Sequence, residues 1–472
     1  MSQEINFLSV KNQKKLLSSK QISCEELIKV HIDQIEKYNP YVNAIVTSTY
    51  DLALDQAKDF DNKPEKQNGI LAGLPVAVKD LEETSGIKTT FGSRIYSENI
   101  PTNDSLIVKN IKKSGAIIIG KSNTPEFGAG SQTFNEVFGS TKNPYSLDKT
   151  CGGSSGGSAV ALACGMVPLA TGSDLGGSLR NPAAWSNIVG FRPSLGRVPA
   201  YDELGWSTLS TGGPMGRQVE DILLQLVAMS GYEKFSPSSF HDSTISLENS
   251  LHRNFNGTKI AWAKNLNSRP IEPEIYDNFI NQKTIFEKIG CEIIDDEPDL
   301  SDSDQIFQAY RAYSYTLKHK NHIEKNNDKV KDTIIWNYNQ GKKLSAYDMA
   351  KAEYLKTKLW KSIISFFEKY DYLIMPVTSV PPFSVEKEYP DEVNGVKLNT
   401  YLDWMWPCYT ISVTGLPCIS MPSGFTNSGL PIGIQIIGKP KKDFSVLELA
   451  QAYENLTEFY KVKPDFLIGK DD

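Results

Sequence analysis

Residues 151–182 read CGGSSGGSAVALACGMVPLATGSDLGGSLRNP, and the fold and chemistry of the chain turn on this stretch. It places two serine sites, Ser154/Ser155 and Ser178, on glycine turns. Glycine permits tight turns and close backbone approach, so serines presented there suit a nucleophile or an anion cradle. The stretch has no histidine, so a base for either serine must come from elsewhere. The run from Cys151 to Ser173 carries no charge and is long enough to suggest a bilayer span. Its Gly and Ser content and Pro168 argue instead for a buried helix with glycine-rich flanks.

Outward from this stretch, short apolar runs alternate with amphipathic ones. LAGLPVAVKD reads as a buried strand, IVKNIKKSGA as a helix and IIIGKSN as a second strand. Further on, RQVEDILLQLVAMSG reads as a helix, and KIAWAK, CEIIDD, YLIMPV, CISMP and IGIQIIG read as strands. LSAYDMAKAEYLKTKLWKSIISFFEKY is a long amphipathic helix. At the N-terminal end, Ser23 and Glu26 form a capping box opening a helix that should stop before Pro40. This alternation predicts an α/β fold: a single large α/β/α domain whose mixed β-sheet core is covered by helices on both faces. Residues 1–64 are expected to pack on it as a helical segment. Residues 65–472 form the domain, with a polar, Ser-rich surface excursion at 233–256.

Composition narrows the function. Fifty basic and 56 acidic residues give a net charge of −6, which argues against nucleic acid as a partner. The six cysteines have no CxxC spacing and no histidine nearby, as expected of free, buried thiols in a reducing compartment rather than a metal site or disulfide framework. The N-terminal residues lack the apolar core of a signal peptide. The expected protein is cytoplasmic, with no membrane, nucleic-acid, metal or cofactor dependence. A homodimer is a common state for such enzymes, but the sequence does not specify one.

Four readings of the glycine–serine stretch compete. A phosphate loop needs G-x-x-x-x-G-K-[ST], and the lysine is missing. Gly152–Gly156 matches the G-x-S-x-G nucleophile elbow, but that fold needs a later histidine. His241 and His252 lie in or beside the polar excursion, and His319 and His322 lie in the charged stretch KHKNHIEK. All four read as solvated surface residues, as does His31 on the N-terminal helix. Purely structural turns would explain some glycines but not the regular serines. The fourth reading is a nucleophilic serine served by lysine. In PVAVKD, strand alternation sends Val76 and Val78 one way and Ala77 and Lys79 the other. Lysine is rarely buried. If Lys79 is, desolvation lowers its pKa from about 10.4 and makes it a base near neutrality.

The segment GGSSGGSAVALACGMVPLATGSDLGGSLRNPAAWSNIVGFRPSLGRVP resembles the signature of the amidase signature family of serine hydrolases. GLPVAVKD resembles that family's lysine strand, and LPCISMPSGFTNSGLPIGIQIIGKP its C-terminal strand pair. The resemblance is dense over 65–200. It implies a Ser–cis-Ser–Lys triad, with Ser178 as nucleophile, Ser154 after a cis peptide as bridging serine and Lys79 as base. It implies acyl transfer from an amide through a Ser178 acyl-enzyme, without a cofactor. Backbone amides of Leu175, Gly176, Gly177 and Ser178 would form the oxyanion hole. Gly128 matches a position whose carbonyl helps hold substrate. Asp174 and Arg180 are expected in structural hydrogen bonds. Trp404, Trp406, Tyr310, Tyr313 and Tyr315 read as core more readily than as pocket.

Two functions fit such a triad: a free-standing amidase, and the glutamine-hydrolysing component of a tRNA-dependent amidotransferase. The chain has Leu175 where the amidotransferase component typically has threonine, and GGSLRNP where it has GGSIRQP. DTIIWNYNQGKKLSAYDMAKAEYL lacks the arginine of that component's glutamine site. These departures favour the free-standing amidase.

Overall fold

The computed structural model describes residues 5–63, 68–201, 203–242, 246 and 250–467. Eleven strands form one mixed sheet: β1 (Ile45–Ser48), β2 (Pro75–Lys79), β3 (Ile117–Ser122), β4 (Leu169–Asp174), β5 (Val189–Arg192), β6 (Thr211–Gly216), β7 (Lys259–Trp262), β8 (Glu292–Asp295), β9 (Tyr372–Pro376), β10 (Cys418–Phe425) and β11 (Pro431–Gly438). Their spatial order is β1-β3-β2-β4-β6-β5-β10-β11-β9-β7-β8. The β3-β2-β4 trio is parallel, as is β9-β7-β8, and the strands between them pair antiparallel.

Helices cover both faces, and the alternation of β2 shows the division. Val76 and Val78 join the larger core with Ile118 and Leu169. Ala77 joins a second core with Ile119, Ala170 and the helix Gly156–Ala163. All five residues of β2 are buried, as a central strand covered on both faces requires. Lys79 therefore ends its strand inside the protein, without exposed surface.

Three sequence expectations differ from the structure. The uncharged run does not stay helical: its helix covers Gly156–Ala163, and Leu169–Asp174 is strand β4. Gly165 at φ +67° and Pro168 separate the two. The N-terminal helix runs from Cys24 to Val42, through Pro40. A proline in the last turn deletes one amide donor only. Asn39 then caps the turn, its Oδ1 accepting from the amides of Ala44 and Ile45 at 2.8 Å each. His31 is fully buried, with its ring nitrogens 3.1 Å from the Met166 carbonyl and 3.2 Å from Gln13 Oε1. Desolvation, reinforced by Arg217, lowers its pKa to about 3 and keeps it neutral.

The capping box at Ser23 and Glu26 is formed. The six cysteines are buried free thiols. Within the polar excursion 233–256, residues 243–245 and 247–249 lie outside the described residues. Among the described residues no helix is long and apolar enough to cross a membrane.

Candidate active site

The two glycine turns meet at the C-terminal ends of β2 and β4. The Gly153–Ser154 peptide is cis, and the Gly153 carbonyl accepts a hydrogen bond from Ser131 Oγ at 2.8 Å. Lys79 reaches this turn from β2. Its Nζ lies 2.7 Å from Ser154 Oγ, 2.9 Å from Ser155 Oγ and 3.0 Å from Ser173 Oγ. None of these partners is charged. Burial accordingly lowers the Lys79 pKa to about 7, against the opposing pull of Glu82 and Asp174. Near neutrality the amine is substantially unprotonated and able to take a proton from a hydroxyl.

A cavity of about 150 Å³ is lined by Ser154 and Ser178 together with Ser173, Gly128, Leu175 and Gly176. Ser155 is fully buried and does not line it, which separates the two adjacent serines. Ser178 is half-buried on the cavity wall, and among the described residues its hydroxyl is uncommitted. Gly128, at φ +71°, sits where a Cβ would come within 2.8 Å of Leu81 Cδ1 and 3.4 Å of Ser154 Oγ. Any side chain there would crowd the serine.

The nucleophile loop is pinned from below by Asp174. Its Oδ1 accepts from the Gly177 amide at 2.8 Å and from Arg192 Nη1 at 3.0 Å, and its Oδ2 accepts from Arg180 Nε at 3.0 Å. Burial alone would raise this carboxyl, but Arg180 and Arg192 hold it well below the usual carboxylate range. Arg180 continues to Gln435 Oε1 at 2.9 Å and Ser412 Oγ at 2.7 Å. Asp174 and Arg180 thus hold the turn in shape, as expected from the sequence. Asp174→Ala would leave two guanidinium groups buried beside an empty site. Breaking a buried pair in this way typically costs about 3–5 kcal/mol, so the denaturation midpoint should fall sharply. An unchanged midpoint would mean the Asp174–Arg180–Arg192 cluster is not a structural anchor.

The Asp174 contact also corrects the expected oxyanion donors. The Gly177 amide points at Asp174 and is unavailable to an oxyanion. Among the described residues, the amides of Leu175, Gly176 and Ser178 carry no hydrogen bond and remain as candidates.

The histidine reading also changes. His319 is buried and lines the cavity, 4.9 Å between ring centroids from Phe127, with its Nδ1 3.4 Å from that of His322. His322 is half-buried, stacked on Phe127 at 4.8 Å and within 2.9 Å of Tyr96 OH. Aromatic walls desolvate these rings despite the charged residues beside them in sequence. Burial lowers the His319 pKa to about 3, with His322, Lys318 and Arg311 contributing. No serine is hydrogen-bonded to either ring among the described residues, so Lys79 keeps the role of candidate base. His241 and His252 are exposed, as expected.

Sequence reasoning missed several wall residues. Ser173 was one: it lies two residues after Thr171, a spacing that places both on one face only once the segment is known to be strand β4, where Thr171 Oγ1 accepts from the Lys79 amide at 3.0 Å and Ser173 Oγ contacts Lys79 Nζ. The helix Ser303–Lys318 supplies another group: Phe307, Arg311, Ser314, Tyr315 and Lys318 all line the cavity. Their spacing marks one helical face. Of the three tyrosines in that helix, only Tyr315 reaches the cavity. Tyr310 bonds Glu353 and Tyr313 is exposed. Trp404 stacks on Trp185 at 5.4 Å and Trp406 Nε1 donates to the Pro270 carbonyl at 3.0 Å, so both are core, while Met405 between them lines the cavity.

Comparison with known proteins gives the family. Residues 26–447 match the Amidase family model. The chain belongs to the amidase signature family and is an amidase. It is 33% identical over 495 residues to the GatA-type chain of the glutamyl-tRNA(Gln) amidotransferase of Dehalococcoides mccartyi (strain CBDB1), covering 97% of this chain and 98% of the relative. It is 30% identical over 471 residues to an acylamidase of Rhodococcus erythropolis, covering 98% of each. The crystal structure of a bacterial aryl acylamidase of the amidase signature family superposes with a TM-score of 0.90 at 27% identity, covering 98% of this chain and 99% of that one. The corresponding glutamyl-tRNA(Gln) amidotransferase chain of Thermotoga maritima superposes at 0.76, also at 27% identity, covering 96% and 95%.

Proposed function

We propose that the protein is a free-standing amidase that hydrolyses a carboxylic acid amide through a Ser178 acyl-enzyme. The observation that carries this reading is the contact of a fully buried Lys79 with Ser154 Oγ at 2.7 Å, on the wall of the cavity that Ser178 also lines. Ser178 Oγ adds to the amide carbonyl carbon while its proton passes to Ser154 and the Ser154 proton passes to Lys79. The oxyanion is held by the free amides of the 175–178 turn. The C–N bond then breaks as the leaving nitrogen takes back a proton along the same path. Water enters, adds to the acyl carbon with the same base, and the acid leaves.

The glutamine-hydrolysing component of an amidotransferase is the second reading, supported by the 33% identity to a relative of that kind over nearly its full length. The higher superposition with the aryl acylamidase, 0.90 against 0.76 at equal identity, favours the free-standing enzyme. Leu175 and the GGSLRNP turn support it too. Ammonia or amine release should be measured across short aliphatic, aromatic and dipeptide amides and glutamine, with the chain purified alone. Turnover of simple amides by the lone chain is expected. Glutamine-only turnover that requires co-purifying proteins would reverse the choice.

A further inference from the structure

Arg311 is a buried cation without an anion. Its side chain is 5% exposed on the helix Ser303–Lys318 and lines the cavity that holds Ser178. Nη2 donates to Tyr315 OH and Tyr401 OH at 2.8 Å each, and Nε donates to Tyr401 OH and Asn337 Oδ1 at 3.2 Å each. All these acceptors are neutral. Among the described residues Nη1 has no hydrogen-bond partner, and no carboxylate lies within ion-pair distance of the guanidinium. Three other buried arginines, Arg180, Arg192 and Arg197, each have a carboxylate oxygen at 3.0 Å. Arg217, also buried, donates from both Nη1 and Nη2 to backbone carbonyls, two each, whereas Arg311 leaves Nη1 without an acceptor on the cavity wall. A buried charge without a counter-ion is costly, and a fold that keeps one on a cavity wall leaves that cost to be offset by a ligand.

Lys318 is a second cationic wall residue, and no acidic side chain lines the cavity among the described residues. Phe307, Leu175 and Met405 supply apolar surface between the guanidinium and the serines. The volume of about 150 Å³ holds a chain of a few carbons beside Arg311, and six of its lining residues, Ser173 and Phe127 among them, also line an adjoining space of about 1100 Å³ that leaves room for the other half of the substrate.

Resting on the amidase reading, we infer that the half of the substrate occupying this chamber carries a carboxylate and that Arg311 selects for it. The substrate is then the monoamide of a short dicarboxylic acid, or an amide whose short amine half bears the acid. Glutamine fits less well, because its α-ammonium finds no acidic partner on this wall. The segment 332–355 contains no arginine, and the guanidinium comes from an earlier helix.

The test compares charged and neutral amides of matched length. On the acyl side these are succinamate and butyramide. On the amine side they are N-acetyl-β-alanine and N-propylacetamide. A hydrogen-bonded charge contributes roughly 10- to 150-fold in specificity, so the wild type should favour the anionic member of one pair by about that factor in kcat/KM. The pair showing it identifies which half enters the chamber. In Arg311→Gln that ratio should collapse toward one, and Arg311→Lys should restore part of it. Succinamate should also turn over faster than glutamine. Calorimetry with succinate on the Ser178→Ala protein gives a readout independent of turnover, with binding expected and lost when Arg311→Gln is added. Equal kcat/KM for both members of both pairs in the wild type, with no succinate binding, would overturn the inference even if Arg311→Gln failed to fold. Arg311-dependent succinate binding by a protein that hydrolyses no amide would instead sink the amidase reading and leave the anion site standing.

Discussion

Replacing Ser178 with alanine should lower kcat on the best amide by on the order of a millionfold, the loss typical of removing a serine nucleophile. The substitution deletes one oxygen from a half-buried wall position whose hydroxyl is otherwise uncommitted. It removes no contact that holds the turn, since Asp174 bonds the neighbouring amides of Gly177 and Leu179. Thermal stability should therefore stay within about 0.5 kcal/mol, as for a substitution away from the core. KM should change little, because the wall and the free amides remain. Ser154→Ala and Ser178→Ala together should cost no more than Ser178→Ala alone, since groups acting as a unit are strongly non-additive. Single-turnover experiments with an activated ester should show acyl-enzyme accumulation in the wild type and none in the variant. If Ser178→Ala hydrolysed amides within tenfold of the wild type, the nucleophile would lie elsewhere, and Ser173, also on this wall and bonded to Lys79, would be the next candidate.

The parts of the site that were legible in sequence were those in which local backbone geometry and chemistry coincide. The glycine turns singled out the serines and the alternation of PVAVKD raised Lys79, and the resemblance to the amidase signature then chose Lys79, Ser154 and Ser178, which the fold brings to one corner. The strand β4 was not legible, because a short apolar run has no period that separates strand from buried helix. His31 was misread although it occupies the same helical face as Leu27, Ile28 and Ile35, all buried. Its identity as a polar residue outweighed its position, and the groups beside its ring, the Met166 carbonyl and Gln13 Oε1, lie outside its own helix. His319 and Arg311 were hidden for a different reason. Each is a charged-type residue whose burial is decided by partners distant in sequence, Phe127 for one and Tyr401 for the other. The Gly177 amide shows the same limit: its neighbours in sequence suggested an oxyanion donor, but the side chain of Asp174 captures it.

The Lys79→Met variant should lose roughly ten-thousandfold in kcat, the upper end for removing a general base, yet be no less stable than the wild type at neutral pH. The two effects have one cause. The Lys79 pKa is lowered from an ordinary value to about 7 by burial, so the unfolded chain binds the proton more tightly than the folded one. For such a group the destabilisation is fully present below pH 7, where both states are charged, and is relieved as pH rises from about 7 toward the unfolded value near 10.5. Over that window the stability of the wild type relative to Lys79→Met should climb, by a few kcal/mol in all. Activity follows the same titration. A protonated Lys79 cannot accept a proton from Ser154, so kcat/KM of the wild type should rise through an apparent midpoint near pH 7 and level off above it. Asp174 cannot supply this limb, because its arginine partners keep it ionised far below neutrality. Nor can His319, whose pKa is lowered to about 3. The assignment therefore links two independent measurements, a pH–rate profile of the wild type and a pH-dependent stability difference between wild type and variant. A flat rate profile from pH 5 to 9 together with a stability difference that does not grow above pH 7 would show that Lys79 stays protonated in the folded enzyme and acts as a fixed charge rather than a base.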